Sequence, residues 1–193
     1  MFERNDDVLY ICYDNEGYMN TGVQRSSATP PTARTATTPA VGAEPGNVFG
    51  TGKSVPRIAV AHNIPYVATA TVADLHDLER KVTTAMSIRG ARYIQIDVPC
   101  PLGWGAASHD TIRLARLAVE CGLYPIFEAE HGKVTRVRKI RRQVPVQEYL
   151  KLQRRFAHLF KTGHDDPRVA RLQAICDANI AEYGLIDAAA EDA

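Results

Sequence analysis

Near the start of the chain, Val8-Leu9-Tyr10-Ile11-Cys12-Tyr13 is an apolar run of β-branched and aromatic side chains that stops abruptly at Asp14-Asn15. Such a run reads as a buried strand delivering its C-terminal end into a loop. A buried parallel strand has neighbours on both sides, and little lies upstream to provide one. The chain therefore reads as a piece of a larger sheet. Beyond the strand, Gly17 and Gly22 let the backbone approach a ligand closely or adopt positive φ. Ligands of open α/β sheets collect just past the carboxyl ends of strands. Asp14, Asn15 and Asn20 offer hard oxygens of the kind that hold Mg²⁺ beside a phosphate. A polar turn after a core strand is the competing reading.

From Asp14 to about Ser54 no periodic pattern emerges, and Ser26 to Pro39 holds only Ser, Thr, Pro, Ala and Arg34. A structureless span of this length is functional or disordered. Gly46 to Ser54 imitates a phosphate-binding loop, but five residues separate Gly46 from Gly52 where four are needed. No strand precedes it, so a nucleoside-triphosphate site is excluded and Lys53 reads as a surface or interface charge.

After the loop the chain alternates. A helix capped by Ser54, with Pro56 in its first turn, runs to about Asn63. A strand follows over Pro65–Thr71. The next helix, capped near Asp74, reaches about Ile88 with Leu75, Leu78, Val82, Ala85 and Met86 on one face. Ala91–Val98 is a strand, Ser108 to Gly122 a helix, and Tyr124–Glu130 with Lys133–Ile140 a hairpin across His131-Gly132. Two helices, about Val146 to Phe160 and Pro167 to Tyr183, complete the pattern; Asp187–Ala193 reads as frayed. The βαβα order predicts an α/β, three-layer, doubly wound, mainly parallel sheet, incomplete at its N-terminus, with a hairpin and helical extension. The expected division is 1–130 and 131–193.

The 193 residues, 45% of them apolar, suit one buried core. The net charge of +1 gives no global pull toward nucleic acid or acidic membranes. No apolar run of about 18 residues is present, and the first residues are too acidic for a signal peptide. Cys12, Cys100, Cys121 and Cys176 are far apart, as in a reduced cytoplasmic protein. The basic run Lys133, Arg136, Arg138, Lys139, Arg141 and Arg142 lacks interleaved aromatics, so it suits a solvated hairpin or the docking of an acidic protein better than nucleic acid.

Pro99-Cys100-Pro101-Leu102-Gly103-Trp104-Gly105 follows directly on a strand, which places the Cys100 thiol at the sheet edge where Asn15 sits. By itself a lone cysteine is more often a buried, inert one.

The string Asp14-Asn-Glu-Gly-Tyr-Met-Asn-Thr-Gly-Val-Gln-Arg-Ser-Ser-Ala-Thr-Pro30 resembles the thiamine-diphosphate segment of the β subunit of pyruvate:ferredoxin oxidoreductase and related 2-oxoacid:acceptor oxidoreductases. The resemblance runs from about Val8 to Phe160. It implies an ordered loop over a cofactor, with Asn15 as side-chain Mg²⁺ ligand and Gly17 as carbonyl ligand. Asn20 would sit at the diphosphate or reacting centre as the catalytic residue, and Tyr18, Thr21, Gly22 and Gln24 would line the thiamine diphosphate. Cys100 would be the fourth thiolate of a [4Fe–4S] cluster. The family's Gly-Asp-Gly motif and its three further cluster cysteines have no counterpart here, and the activating carboxylate belongs to a partner subunit. The resemblance further implies oxidative decarboxylation of a 2-oxo acid, pyruvate by default, with electrons passing singly to ferredoxin and the acyl group to coenzyme A. The partners would be α and other subunits, and the isolated chain would be inactive. An aryl or branched-chain 2-oxo acid, or a non-catalytic remnant with only an assembly role, are the alternatives.

Overall fold

The computed structural model describes residues 1–42, 44–161 and 166–187. In chain order the elements are β1 (Leu9–Asp14), α1 (Val55–Ala61), β2 (Tyr66–Thr71), α2 (Leu75–Ser87) and β3 (Arg92–Asp97). They continue with α3 (Pro101–Trp104), α4 (Thr111–Glu120), β4 (Phe127–Glu130), β5 (Lys133–Val137), α5 (Val146–Leu150) and α6 (Pro167–Tyr183). The five strands form one sheet in the order β1-β3-β2-β4-β5. β1, β3 and β2 run parallel, while β4 is antiparallel to β2 and β5 to β4.

The path from β1 to β2 skips one place, and the path from β2 to β3 turns back into it. Right-handed crossovers in opposite directions put α1 and α2 on opposite faces. Side-chain alternation along the strands follows. Val67, Tyr93 and Ala129 pack with Ala59 of α1 on one face; Ala68, Ala70, Ile94 and Ile96 pack with Ala85 of α2 on the other. β2, covered on both sides, is buried at every position, as a central parallel strand requires. The three-layer, doubly wound arrangement is the one the βαβα alternation predicts. A further apolar cluster, including Trp104, Leu114, Tyr149, Phe156 and Leu172, knits α3 to α6 together.

β1 pairs only with β3 among the described residues. Its outer edge carries Tyr10 and Tyr13, 52% and 71% exposed, an open edge of the kind that folded proteins cover.

Local signals account for most boundaries. Ser54 Oγ accepts the Arg57 N–H and Asp74 Oδ1 accepts the Asp77 N–H, each capping a helix start. His131 and Gly132, with φ of 46° and 80°, form the two-residue hairpin turn, a conformation that matches the strand twist.

Two expectations are corrected. Leu75 and Met86 are both 67% exposed, because they lie roughly 80° and 100° round the helix from Ala85. Lys81 occupies the inward position instead, its ammonium donating to Thr69 O at 2.7 Å and pairing with Asp77 at 2.5 Å. The region from Val146 to Phe160 is not one helix: α5 stops at Leu150 and a 3₁₀ stretch covers Arg154–Phe160. There the Arg155 carbonyl leaves the helical ladder and accepts the Arg34 N–H at 3.0 Å. Of the C-terminal tail, residues 188–193 lie outside the described residues. No described helix is long and apolar enough to cross a membrane.

Candidate functional site

The sheet geometry brings the ends of β1, β2 and β3 level, with Asp14 and Thr71 both in register with Asp97. Just past this edge the chain folds the Asn15–Gln24 segment into a compact turn. Tyr18 and Gln24 exchange backbone hydrogen bonds of 3.0 and 3.2 Å. Thr21 Oγ1 donates to Gln24 Oε1 at 2.5 Å, and Gln24 Nε2 donates to Thr21 O at 2.7 Å. Val23 closes the turn with φ of 64°, a left-handed conformation that is costly for a β-branched residue.

α3 approaches the same edge from β3. Trp104 is fully buried and its indole N–H donates to Asn15 O at 2.9 Å. Cys100 is half-buried at the N-cap of α3, where its Sγ accepts the Gly103 N–H at 3.4 Å. A Cβ added to Gly103 would lie 2.2 Å from Met19 Sδ and 3.4 Å from Cys100 Sγ. Gly103 is thus the residue that lets the turn and the thiol lie side by side.

Beneath the turn is a charged cluster. Glu16 forms an ion pair with Arg155, the two side chains being 14% and 4% exposed. The Arg155 guanidinium sits 3.9 Å above the Trp104 ring and donates from Nε to Gln153 Oε1 at 2.8 Å. Asp14 accepts from Gln95 Nε2 at 2.7 Å and from Glu16 N at 2.9 Å. Burial raises the pKa of Asp14 and of Glu16, against the opposing pull of Arg155. Asp97, 2% exposed, has no partner for Oδ2 among the described residues. Its pKa stands well above the usual carboxylate range, first from burial and then from Glu16 and Asp14. A cleft of about 640 Å³ opens beside Asp14 and Glu16, roofed by the 28–54 loop and by α6.

That long loop is ordered by side-chain ties. Asn47 Nδ2 donates to Thr29 O at 2.8 Å, Asn47 Oδ1 accepts from Arg25 Nε at 2.9 Å, and Thr29 Oγ1 donates to Glu16 O at 2.6 Å. The phosphate-loop imitation explains itself here: a Cβ on Gly52 would fall 1.7 Å from Ser27 O, so this glycine serves loop packing.

Of the residues singled out from sequence, Asn15, Gly17 and Cys100 converge with Trp104, with Met19 packed between them. Tyr18, Asn20, Thr21 and Gly22 sit exposed on the turn. The Asn15 side-chain amide and the Gly17 carbonyl make no hydrogen bond among the described residues, which leaves two oxygens for a hard cation. Cys100 offers one thiol; Cys12 lies within β1, and Cys121 and Cys176 are buried. No group of three or more His, Cys, Asp or Glu suited to a metal ion occurs among the described residues. Glu16, Asp97, Trp104 and Arg155 were not read from sequence as parts of the site, and only the adjacency of Glu16 to Asn15 and of Trp104 to Cys100 hinted at them.

Residues 1–96 match the thiamine pyrophosphate enzyme, C-terminal TPP binding domain. The chain is 47% identical over 184 residues, 95% of its length, to the pyruvate synthase subunit PorB of Methanosarcina barkeri. In sequence it resembles the β subunits of pyruvate and related 2-oxoacid oxidoreductases. The PorB subunit of Methanocaldococcus jannaschii is 45% identical over 95% of the chain, and the ketoisovalerate oxidoreductase subunit VorB of Pyrococcus abyssi is 47% identical over 82%. The chain spans 62%, 59% and 51% of the length of these three relatives. The thiamine-domain match ends in β3 at Ile96, so Asp97, Cys100 and Trp104 lie just outside it.

Proposed function

We infer that the chain is the C-terminal part of a 2-oxoacid:ferredoxin oxidoreductase β subunit, acting with α and other subunits in the cytoplasm. The reaction is oxidative decarboxylation of a 2-oxo acid to its acyl-coenzyme A, with ferredoxin as electron acceptor. The observation that carries this reading is the Trp104–Asn15 hydrogen bond, which joins the thiamine-type turn to the cysteine segment at one sheet edge. The similarity to the PorB and VorB subunits supports it.

In this reading Asn15 Oδ1 and the Gly17 carbonyl would hold Mg²⁺, which would take its further oxygens from the diphosphate, water and polypeptide outside this chain. Asn20, exposed on the turn, would serve the diphosphate or reacting centre, and Tyr18, Thr21, Gly22 and Gln24 would line the cofactor. Thiamine diphosphate, when bound, supplies carbanion stabilisation. The protein residues position it: Trp104 fixes Asn15, and Arg155 fixes Glu16 beneath the turn. Cys100 supplies one thiolate of a [4Fe–4S] cluster that needs four, so this chain does not hold the cluster alone. Residues 1–130 form the thiamine-binding portion and 131–193 the extension. The open edge of β1 suits a neighbouring strand from the rest of the subunit, and the isolated chain is expected to be inactive. Pyruvate is the first-choice substrate, in line with the PorB relatives; the VorB relative keeps a branched-chain 2-oxo acid as the second reading.

Native mass spectrometry of the complex purified from its source tests this. A subunit carrying thiamine diphosphate and iron–sulfur mass, at or above the 21.2 kDa of this chain, is the expected result. A subunit of that mass in a complex without either cofactor would leave only an assembly role.

A further inference from the structure

The basic run that follows β4 does not lie on a flat strand face. From Arg136 to Arg142 it curls over the α2 side of the sheet and, with α2 and α4, encloses a cleft of about 700 Å³. That volume lies within the range of small-molecule sites, about 300–1,000 Å³. The acidic side chains within the cleft are mostly engaged. Asp77 pairs with Arg80 and Lys81, Glu128 with Arg80, and Asp74 with Arg138. Glu128 also accepts the Tyr66 hydroxyl proton at 2.6 Å. Arg116 of α4, Arg136 of β5, and Arg141 and Arg142 beyond it are exposed at the cleft with no acidic partner among the described residues. Glu120 is the remaining acid there. Val119, Ile126 and Ile140 supply apolar wall.

We propose that this cleft binds a phosphate-bearing ligand of nucleotide size, its phosphates held by Arg116, Arg136, Arg141 and Arg142 and its body against Val119, Ile126 and Ile140. Guanidinium forks match phosphate oxygens two at a time. Convergence of these groups from three elements on a concavity suits a small polyanion better than a broad protein face. The site lies on the β4 side of the sheet, away from the Asn15 turn at the β1 edge, and the proposal is independent of the thiamine reading.

The test is isothermal titration calorimetry of ADP and of coenzyme A into the assembled complex. Wild type is compared with Arg141→Ala/Arg142→Ala, with Arg116→Ala, and with the charge-keeping Arg141→Lys/Arg142→Lys. These side chains are exposed and unpaired, so the substitutions leave the packed core intact. Expected is a saturable component that inorganic triphosphate competes away and that weakens as salt rises. The alanine variants should weaken it by about tenfold or more per guanidinium, with partial recovery in the lysine variant. Tighter binding of coenzyme A assigns the cleft to the acyl acceptor's phosphates, and tighter binding of ADP to a free nucleotide. Absence of binding, or binding that the alanine variants leave unchanged, overturns the proposal. So does a double alanine variant that keeps its phosphate binding and loses only the reduction of an acidic acceptor protein.

Discussion

Trp104 donates its indole N–H to the backbone carbonyl of Asn15 at 2.9 Å, across 89 positions of sequence. The bond fixes the carbonyl of the residue assigned to the metal, and it does so from a side chain that is itself wedged edge-on against Tyr149 and beneath Arg155. The turn after β1 is thereby referenced to the helical cluster as well as to its own strand.

Trp104→Phe keeps most of the packing and removes the donor. The Asn15 carbonyl then lacks its partner, at a cost of about 1–3 kcal/mol. The thermal midpoint of the complex should fall and thiamine diphosphate should bind more weakly. Equilibrium dialysis of the cofactor against wild type and variant complexes is the check; equal affinities would remove Trp104 from the positioning role.

Arg155→Met leaves Glu16 beneath the turn without its cation and strips the guanidinium from the Trp104 ring. Removing one member of a buried pair costs about 3–5 kcal/mol. Because burial already raises the Glu16 pKa, the variant should recover part of this loss at pH 5, where Glu16 takes up a proton more readily. Denaturant titrations at pH 5 and pH 7 check both. A deficit of the same size at the two pH values would mean that Glu16 is not the group left exposed to the loss.

The alternation of strands and helices, the helix caps and the hairpin turn were legible because each depends on neighbours in sequence: apolar alternation, Ser54, Asp74 and His131-Gly132. The pairing of Glu16 with Arg155, 139 positions apart, carries no local signal and emerges only when the 3₁₀ stretch folds against the turn. Lys81 misled for the opposite reason. A charged residue at helical spacing reads as solvated, yet Thr69 O and Asp77 satisfy it inside, and Leu75 and Met86 are displaced outward. At the site itself, Asn15 stood out from the residues alone as an oxygen donor, whereas Gly17 and Cys100 entered as ligands only through the family resemblance. The groups that hold them in place were not legible, since nothing local in the sequence ties Trp104 to Asn15 or Arg155 to Glu16.

Cys100→Ser separates the cluster role from the structural one. Serine caps a helix at least as well as the thiol, so α3 and the Trp104 contact should survive. The iron content and visible absorption of the assembled complex should drop while its thermal midpoint stays close to that of wild type. Full iron retention in the variant would exclude Cys100 as a ligand.

Asp97 should make the protein lose stability as pH rises above the ordinary carboxylate range. Its folded-state pKa lies well above the ordinary value of 3.8, so the folded chain binds a proton that the unfolded chain has released. The contribution is complete below about pH 3.8 and is lost as pH rises toward the folded pKa, with a slope of at most about 1.4 kcal/mol per pH unit. Asp7 and Asp166, each held down to about 2 by arginine neighbours, act with the opposite sign. Their contributions are present above the ordinary carboxylate pKa and disappear only at the acid end, so they are constant from pH 5 to pH 8. Asp97→Asn replaces the carboxyl by a group of the same shape that never ionises. Its stability should therefore decline less steeply than that of wild type between pH 5 and pH 8, and the gap between the two should widen with pH. His158, held down to about 4 first by burial, gains stability as pH rises toward 6.5 in both proteins and so cancels in the gap. Thermal midpoints at half-unit steps measure the gap. Parallel profiles would mean that Asp97 is already ionised at pH 5, with its charge met by a group that has moved toward Oδ2.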